Sequence, residues 1–263
     1  MVSGLAFVRA EEVPFPPSVH DFYPPSLVEG GGYWLTRFTL LVWVAVALLI
    51  VFFLLAYRDP KIVPDRKQWL AESVYGFVRD GVGREMIGPE GLRFAPYLAT
   101  LFSFILLMNL FAIVPFIQVS PNSHIAFPAM LAVISWIMFM AVGVRRHGLV
   151  KYLKISLVPP APWFVLPILI PIEFISTFLV RPFTLAVRLF ANMFAGHMIL
   201  LVFTLGGFAL LNAEALFLKP ISLLSWAMAI ALTFLEAMVI LLQAYVFVVL
   251  TASYVQGALA EEH

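Results

Sequence analysis

From Ile172 to Leu211 the chain runs for about forty residues in which the strong helix breakers are Pro182 and the pair Gly206-Gly207. At 1.5 Å per residue a helix of that length is about 60 Å long, roughly twice the ~30 Å hydrocarbon thickness of a bilayer. Set into this otherwise lipid-compatible stretch are Arg181, Arg188, Asn192 and His197. An arginine at the bilayer centre costs about 2.5–3.5 kcal/mol on insertion scales, so such a residue normally faces protein or water. Two of them within one helix demand a function or a partner.

The rest of the composition agrees with a membrane solvent. Of 263 residues 62% are hydrophobic and 12% charged, with a mean hydropathy of +0.99, against roughly 25% charged in soluble domains. The chain is therefore read as an all-α integral membrane protein. A net charge of +1 offers no global attraction for nucleic acid, and no nucleic-acid partner is expected. The absence of cysteine excludes disulfides, thiolate metal sites and cysteine nucleophiles. No Gly-rich phosphate loop with Lys-Ser or Lys-Thr is present, so no cofactor, metal or catalytic site of the chain's own is expected.

Residues 1–33 are rich in proline, glycine and acids, including Pro14, Pro16, Pro17, Pro24, Pro25 and Gly30 to Gly32, and predict an extended arm outside the bilayer. The first ten residues are too short and weakly apolar for a signal-peptide core. Ala6 to Ala10 before Glu11-Glu12 faintly resembles a cleavage region, and no processing is expected. Residues 34–263 are read as a single transmembrane domain. Its first span covers about 34–57, with Tyr33, Trp34 and Arg37 as interface anchors. A surface helix over about 65–80 follows, starting at Asp65 with Gln68 three residues on. Leu70, Val74, Phe77 and Val78 then share one face opposite Arg66, Glu72, Arg79 and Asp80. This pattern suits an amphipathic helix on the membrane surface, with a solvated linker helix as the alternative. Gly81, Gly83, Gly88, Pro89 and Gly91 are expected to break it.

Spans over about 94–119 and 125–144 form a hairpin through the turn Ser120-Pro121-Asn122-Ser123-His124. The loops after the first and third spans hold eleven of the sixteen basic residues and the Ser120 turn holds none. By the positive-inside rule those loops are cytoplasmic and the N-terminus lies outside. Pro159, Pro160, Pro162, Pro167 and Pro171 predict an irregular cytoplasmic-side segment over 158–171. Two long elements then close the chain, about 172–211 and 221–256, joined by Asn212 to Pro220. Neither offers an internal polar turn, so both are expected to lie steeply inclined as a paired helical hairpin. Five crossings in total leave the C-terminus cytoplasmic.

On this topology the fourth crossing places Glu173 near the inner face, Arg188 midway and His197 further out. Arg181, Thr184 and Arg188 share a face that Asn192 extends, whereas His197 lies opposite. On the returning helix Gln243 follows Glu236 by seven residues on one face, since two turns take about 7.2. Arg181 reads as structural, paired with Glu173 or a backbone carbonyl. Thr184, Asn192 and Gln243 read as interhelical hydrogen-bonding groups, each contributing about 0.6 kcal/mol. Arg188, with no acid within four positions, and His197 and Glu236 read as functional.

Arg181-Pro182, the run Leu189-Phe190-Ala191-Asn192-Met193-Phe194-Ala195-Gly196-His197, and Gln243-Ala244 with Leu250-Thr251 together resemble subunit a of F-type ATP synthases. The likeness extends over the hydrophobic order from about Trp34 to the C-terminus, including Asn109 and Pro115. The resemblance implies that Arg188 occupies the family's essential arginine position, facing c-subunit carboxylates and blocking proton leak. It implies as well a proton path through His197, Glu236, Gln243, Asn192, Glu173, Ser176 and Thr177. In well-studied bacterial members a carboxylate stands at the position of His197 and a histidine at that of Glu236. The exchange suggests that the two residues face each other. The implied partners are the c-subunit ring, peripheral-stalk b-type subunits, the soluble F1 sector and membrane lipid, in the energy-transducing membrane of a bacterial-type cell. A secondary transporter binding an anion at Arg188 is the alternative, but such folds commonly show internal repeats and interrupted helices in matching halves, which the sequence lacks. A non-conducting scaffold would not need an arginine, histidine and glutamate at membrane depth.

Overall fold

The computed structural model describes residues 36–114, 117–157, 162, 164–212 and 215–260. The expected N-terminal arm, Pro115, Pro159, Pro160 and the tail Glu261 to His263 lie outside the described residues. Among the described residues every regular element is helical. The α-helices are α1 (Arg37–Ala56), α2 (Arg66–Val78), α3 (Ala95–Leu110), α4 (Ala126–His147), α5 (Leu149–Leu157), α6 (Leu166–Ile175), α7 (Arg181–Leu211) and α8 (Lys219–Leu259). Four helical stretches are long and apolar enough to cross a membrane: Arg37–Ala56, Ala126–His147, Leu166–Leu211 and Lys219–Leu259.

The second expected span is shorter than its apolar run. α3 has 16 residues, about 24 Å of helix, and ends at Leu110 rather than near Val119. Proline at position 115 disfavours helical backbone at Val114 and has no N–H for the ladder. Past the helix, Gln118 takes a positive φ of 45°. The chain is then tied down by polar side chains instead. Ser120 Oγ donates to the Met108 carbonyl at 3.0 Å and accepts from the Asn122 backbone N–H at 3.2 Å. Asn122 Nδ2 donates to Asn109 Oδ1 at 2.7 Å, and Ser123 Oγ to the Ser120 carbonyl at 2.7 Å. Asn109 and Asn122 are fully buried, so the turn expected from Ser120 to His124 is held by a buried polar knot. The His124 ring packs between Phe38 of α1 and Phe127 of α4, which sets the start of α1 beside this turn.

The surface helix begins where its sequence indicates, with Asp65 as N-cap, yet Asp65 makes no side-chain cap. Gln68 instead ties the preceding loop to the helix. Its Oε1 accepts from the Lys61 N–H at 3.1 Å, and its Nε2 donates to the Lys61 carbonyl and to Glu72 Oε1. The side of α2 packed against the protein is Gln68, Ala71 and Val78; Leu70 and Phe77, on the apolar face read from spacing, are exposed. The small Ala71 lets α2 lie against α3, so Val78 and Val82 join the core with Leu98 and Phe102. Gly81 and Gly83 do not end the helix. They sit in a π-helical continuation, Arg79–Ile87, which closes at Gly88 with φ of 86°. Gly91 then crosses so near the Gly83 carbonyl that a Cβ would collide with it.

The expected irregular segment over 158–171 is helical from Leu166. Pro167 falls in the first turn of α6, where its missing N–H has no intrahelical acceptor to lose. Pro171 lies inside the helix and removes one ladder bond. A π-helix, Ser176–Val180, leads from α6 into α7. The last helix starts earlier and ends later than its expected bounds and has 41 residues, about 60 Å.

Two compact units divide the chain. The larger joins Phe38–Phe194 to Val239–His263. Its core collects Leu98, Phe102 and Ile105 of α3, Leu131 of α4, Leu185 and Leu189 of α7, and Phe247 and Val248 of α8. The smaller, among the described residues, joins residues 36–37 to Ala195–Met238. There the later half of α7 packs on the earlier half of α8. Ser222 Oγ donates to the Gly207 carbonyl at 2.7 Å and Ser225 Oγ to the Phe203 carbonyl at 2.7 Å. Gly207 leaves the space that the Trp226 ring fills.

Candidate functional site

In the larger unit α7 buries Leu185, Ala186, Leu189 and Met193 against the core. The opposite stripe, Thr184, Arg188, Ala191 and Asn192, is exposed. Arg188 therefore stands on a face whose near neighbour one turn on is a methyl group. Among the described residues no carboxylate, carbonyl or ring holds its guanidinium. An arginine that folding alone required would be expected to have such a partner.

Arg181, on the same helix, does have one. Its guanidinium lies 5.4 Å from the centre of the Tyr254 ring of α8, within cation–π range. No ion pair links it to Glu173, one of the two partners expected for it beside a backbone carbonyl. The π-helix between positions 173 and 181 shifts the facing of one residue against the other, which a 3.6-residue period does not capture. Thr184 also departs from expectation. Its hydroxyl turns back to the Val180 and Arg181 carbonyls one turn earlier instead of crossing to a neighbour. Asn192 does cross: its Nδ2 donates to Gln243 Oε1 of α8. Gln243 is buried and its Nε2 lacks a hydrogen-bond partner.

Glu173 and Ser176 are half-buried, whereas Thr177 is fully buried. Trp136 Nε1 of α4 donates to the Thr177 carbonyl at 3.2 Å and anchors the π-helix. The Thr177 hydroxyl has no partner.

In the smaller unit Glu236 is 4% exposed, and neither carboxylate oxygen has a hydrogen-bond partner. Its carboxyl packs against the bare Cα of Gly196: a Cβ there would sit 3.2 Å from Glu236 Oε1. Glycine at 196 thus makes room for the carboxyl beside the helix position of His197. The acid comes to the residue next to His197 and forms no hydrogen bond with it. His197 itself is half-buried. Sequence reasoning missed Gly196 and Tyr254. The signal for the first was a small residue adjoining the histidine; the second, an ordinary aromatic near the chain end, carries none. Among the described residues no three His, Asp or Glu side chains gather to hold a metal ion.

The sequence profile of the family described as ATP synthase A chain matches residues 39–256. The chain is 45% identical to ATP synthase subunit a of Nocardioides sp., with 94% of each chain covered. It is 42% identical to ATP synthase subunit a of Pseudarthrobacter chlorophenolicus, again covering 94% of both. With ATP synthase subunit a of Parafrankia sp. it shares 48% identity over 83% of this chain and 75% of the relative. The match spans the membrane helices and the arginine-bearing α7 alike, and on it this chain belongs to the ATP synthase subunit a family.

Proposed function

We propose that the chain is the proton-translocating subunit of a rotary ATP synthase, in which Arg188 exchanges protons with carboxylates on a c-subunit ring. The observation that carries this reading is the exposed Arg188 guanidinium, with no partner in its own chain among the described residues, on a stripe lined by Ala191 and Asn192. A small-residue face lets another helix approach closely. The missing counter-charge then belongs to the partner.

The physics follows from the cost of charge in lipid. A ring carboxylate travels through hydrocarbon only when neutral. Beside Arg188 the ionised form is favoured, so the proton leaves by an aqueous half-channel toward the cytoplasm in the synthesis direction. Glu173, Ser176 and Thr177 line that path, and the unpartnered Thr177 hydroxyl suits a route furnished with water. After passing Arg188 the carboxylate is reprotonated from an outer half-channel lined by His197 and Glu236. The two partnerless Glu236 oxygens support it in the same way, and Asn192 with Gln243, joined by a hydrogen bond, belong to the proton path as well. The fixed charge of Arg188 between the paths opposes direct leak, so proton flow requires ring rotation. Arg181 on Tyr254 and Thr184 on its own backbone remain structural.

In this reading residues 34–263 form one transmembrane domain with five crossings, the N-terminus outside and the C-terminus in the cytoplasm. The last two crossings lie steeply inclined against the ring, because helical stretches of 46 and 41 residues exceed an upright span about twofold. The b-type stalk subunits and F1 sector complete the assembly, which holds the nucleotide chemistry. Arg188→Ala tests the proposal: proton-driven ATP synthesis in membrane vesicles falls to background while the complex still assembles. Wild-type synthesis in an assembled variant would overturn it.

A further inference from the structure

Much of α1 is uncovered, with Trp43 71% and Leu54 68% exposed. Along its second half α1 and α3 border an open cleft of about 890 Å³. Leu49, Phe53 and Leu54 line it from α1, and Thr100 and Ser103 from α3. The two hydroxyls are already committed to their own helix, Thr100 Oγ1 to the Pro96 carbonyl and Ser103 Oγ to the Ala99 carbonyl, each at 2.8 Å. The cleft therefore takes a hydrocarbon without stranding a donor. Tyr57 and Arg58 lie among its lining residues, just past the end of α1. Among the described residues Arg58 has neither an ion pair nor a hydrogen bond, and the adjoining Asp59 does not neutralise it. The loop continues with four basic and two acidic residues from Arg58 to Lys67.

We propose that this cleft binds an anionic phospholipid, one acyl chain lying between α1 and α3 and the phosphate on Arg58. Leu49 to Ala56 spans seven helical steps, about 10 Å, and Tyr57 and Arg58 carry the lining beyond the helix end, toward half of the ~30 Å hydrocarbon layer. That length matches the acyl chain of one leaflet. A partner's transmembrane helix would need a groove across the whole layer. The guanidinium fork matches phosphate oxygens, and a tyrosine beside it suits the headgroup level. Anionic headgroups are drawn to a basic segment of this kind next to a membrane helix.

The test uses the assembled complex carrying this chain, relipidated with phosphatidylglycerol or with phosphatidylcholine of the same acyl chains. Native mass spectrometry should show phosphatidylglycerol retained on the wild type and reduced about fivefold by Arg58→Gln, with phosphatidylcholine retention unchanged. Thr100→Phe, which fills the cleft and leaves Arg58 in place, should lower both. Equal phosphatidylglycerol retention by wild type and Arg58→Gln overturns the proposal. Because the chain has no cysteine, Leu54→Cys adds a reading independent of Thr100→Phe. A fluorophore there should be quenched more by brominated phosphatidylglycerol than by brominated phosphatidylcholine. Cross-linking of Leu54→Cys to a cysteine on a partner subunit's transmembrane helix would instead show that protein covers the cleft and overturn the proposal.

Discussion

Single residues matter here chiefly by what they cost in lipid. That cost is a property of the side chain alone, so Arg188, His197, Glu236 and Gln243 stood out in the sequence without any fold. Their partners did not, because a partner is chosen by the crossing of two helices distant in sequence. Arg181 illustrates the difference: an acid eight positions earlier looked suitable, whereas the fold brings up Tyr254. Asn109 and Asn122 had no visible reason to meet, yet they share a buried 2.7 Å bond. Replacing one of them strands the other, at about 1–3 kcal/mol. Replacing both removes donor and acceptor together. Unfolding titrations of Asn109→Ala, Asn122→Ala and the double variant in mixed micelles should therefore give a double-variant loss smaller than the sum, by about 1 kcal/mol. Simple additivity would show that the amide pair does not hold the turn.

At the scale of elements, helix positions followed from uncharged apolar runs, and their ends did not. Glycine and proline are read in sequence as breakers, but their effect depends on what surrounds them. Gly83 continues a π-helix and Pro167 starts α6, whereas Gly91 is needed because the Gly83 carbonyl lies against it. The contrast between glycines is measurable. A Cβ added at Gly76, inside α2, would meet nothing within 4 Å, so Gly76→Ala should raise stability by up to about 1 kcal/mol through helix propensity. Gly91→Ala should lower it by about 1–3 kcal/mol through overpacking. Thermal unfolding of the purified protein checks both, and shifts of the same sign would contradict the packing at Gly91. The apolar face of α2 shows the same principle. Spacing put Leu70 and Phe77 on it, and they are exposed, while the side that meets α3 carries the small Ala71, which spacing did not single out.

For the whole molecule, the proposed orientation can be read by chemistry from either side of the membrane. In the cysteine-free chain, Ile62→Cys and Lys151→Cys should react with an impermeant maleimide in inside-out vesicles, and Gln118→Cys in right-side-out cells. Ile62, Lys151 and Gln118 are exposed, so access is not limited by the fold. Labelling of all three from one side would refute the alternating topology. What the sequence determined by itself was the solvent, the helical class, the subunit a family signature and the residues too costly for lipid, because transfer energies and helical period are local quantities. Tertiary structure alone decided that Arg181 rests on Tyr254 while Arg188 is left open, and that Glu236 packs on Gly196. Those outcomes depend on which helices touch and how closely, and close approach is set by the volumes of residues far apart in the chain.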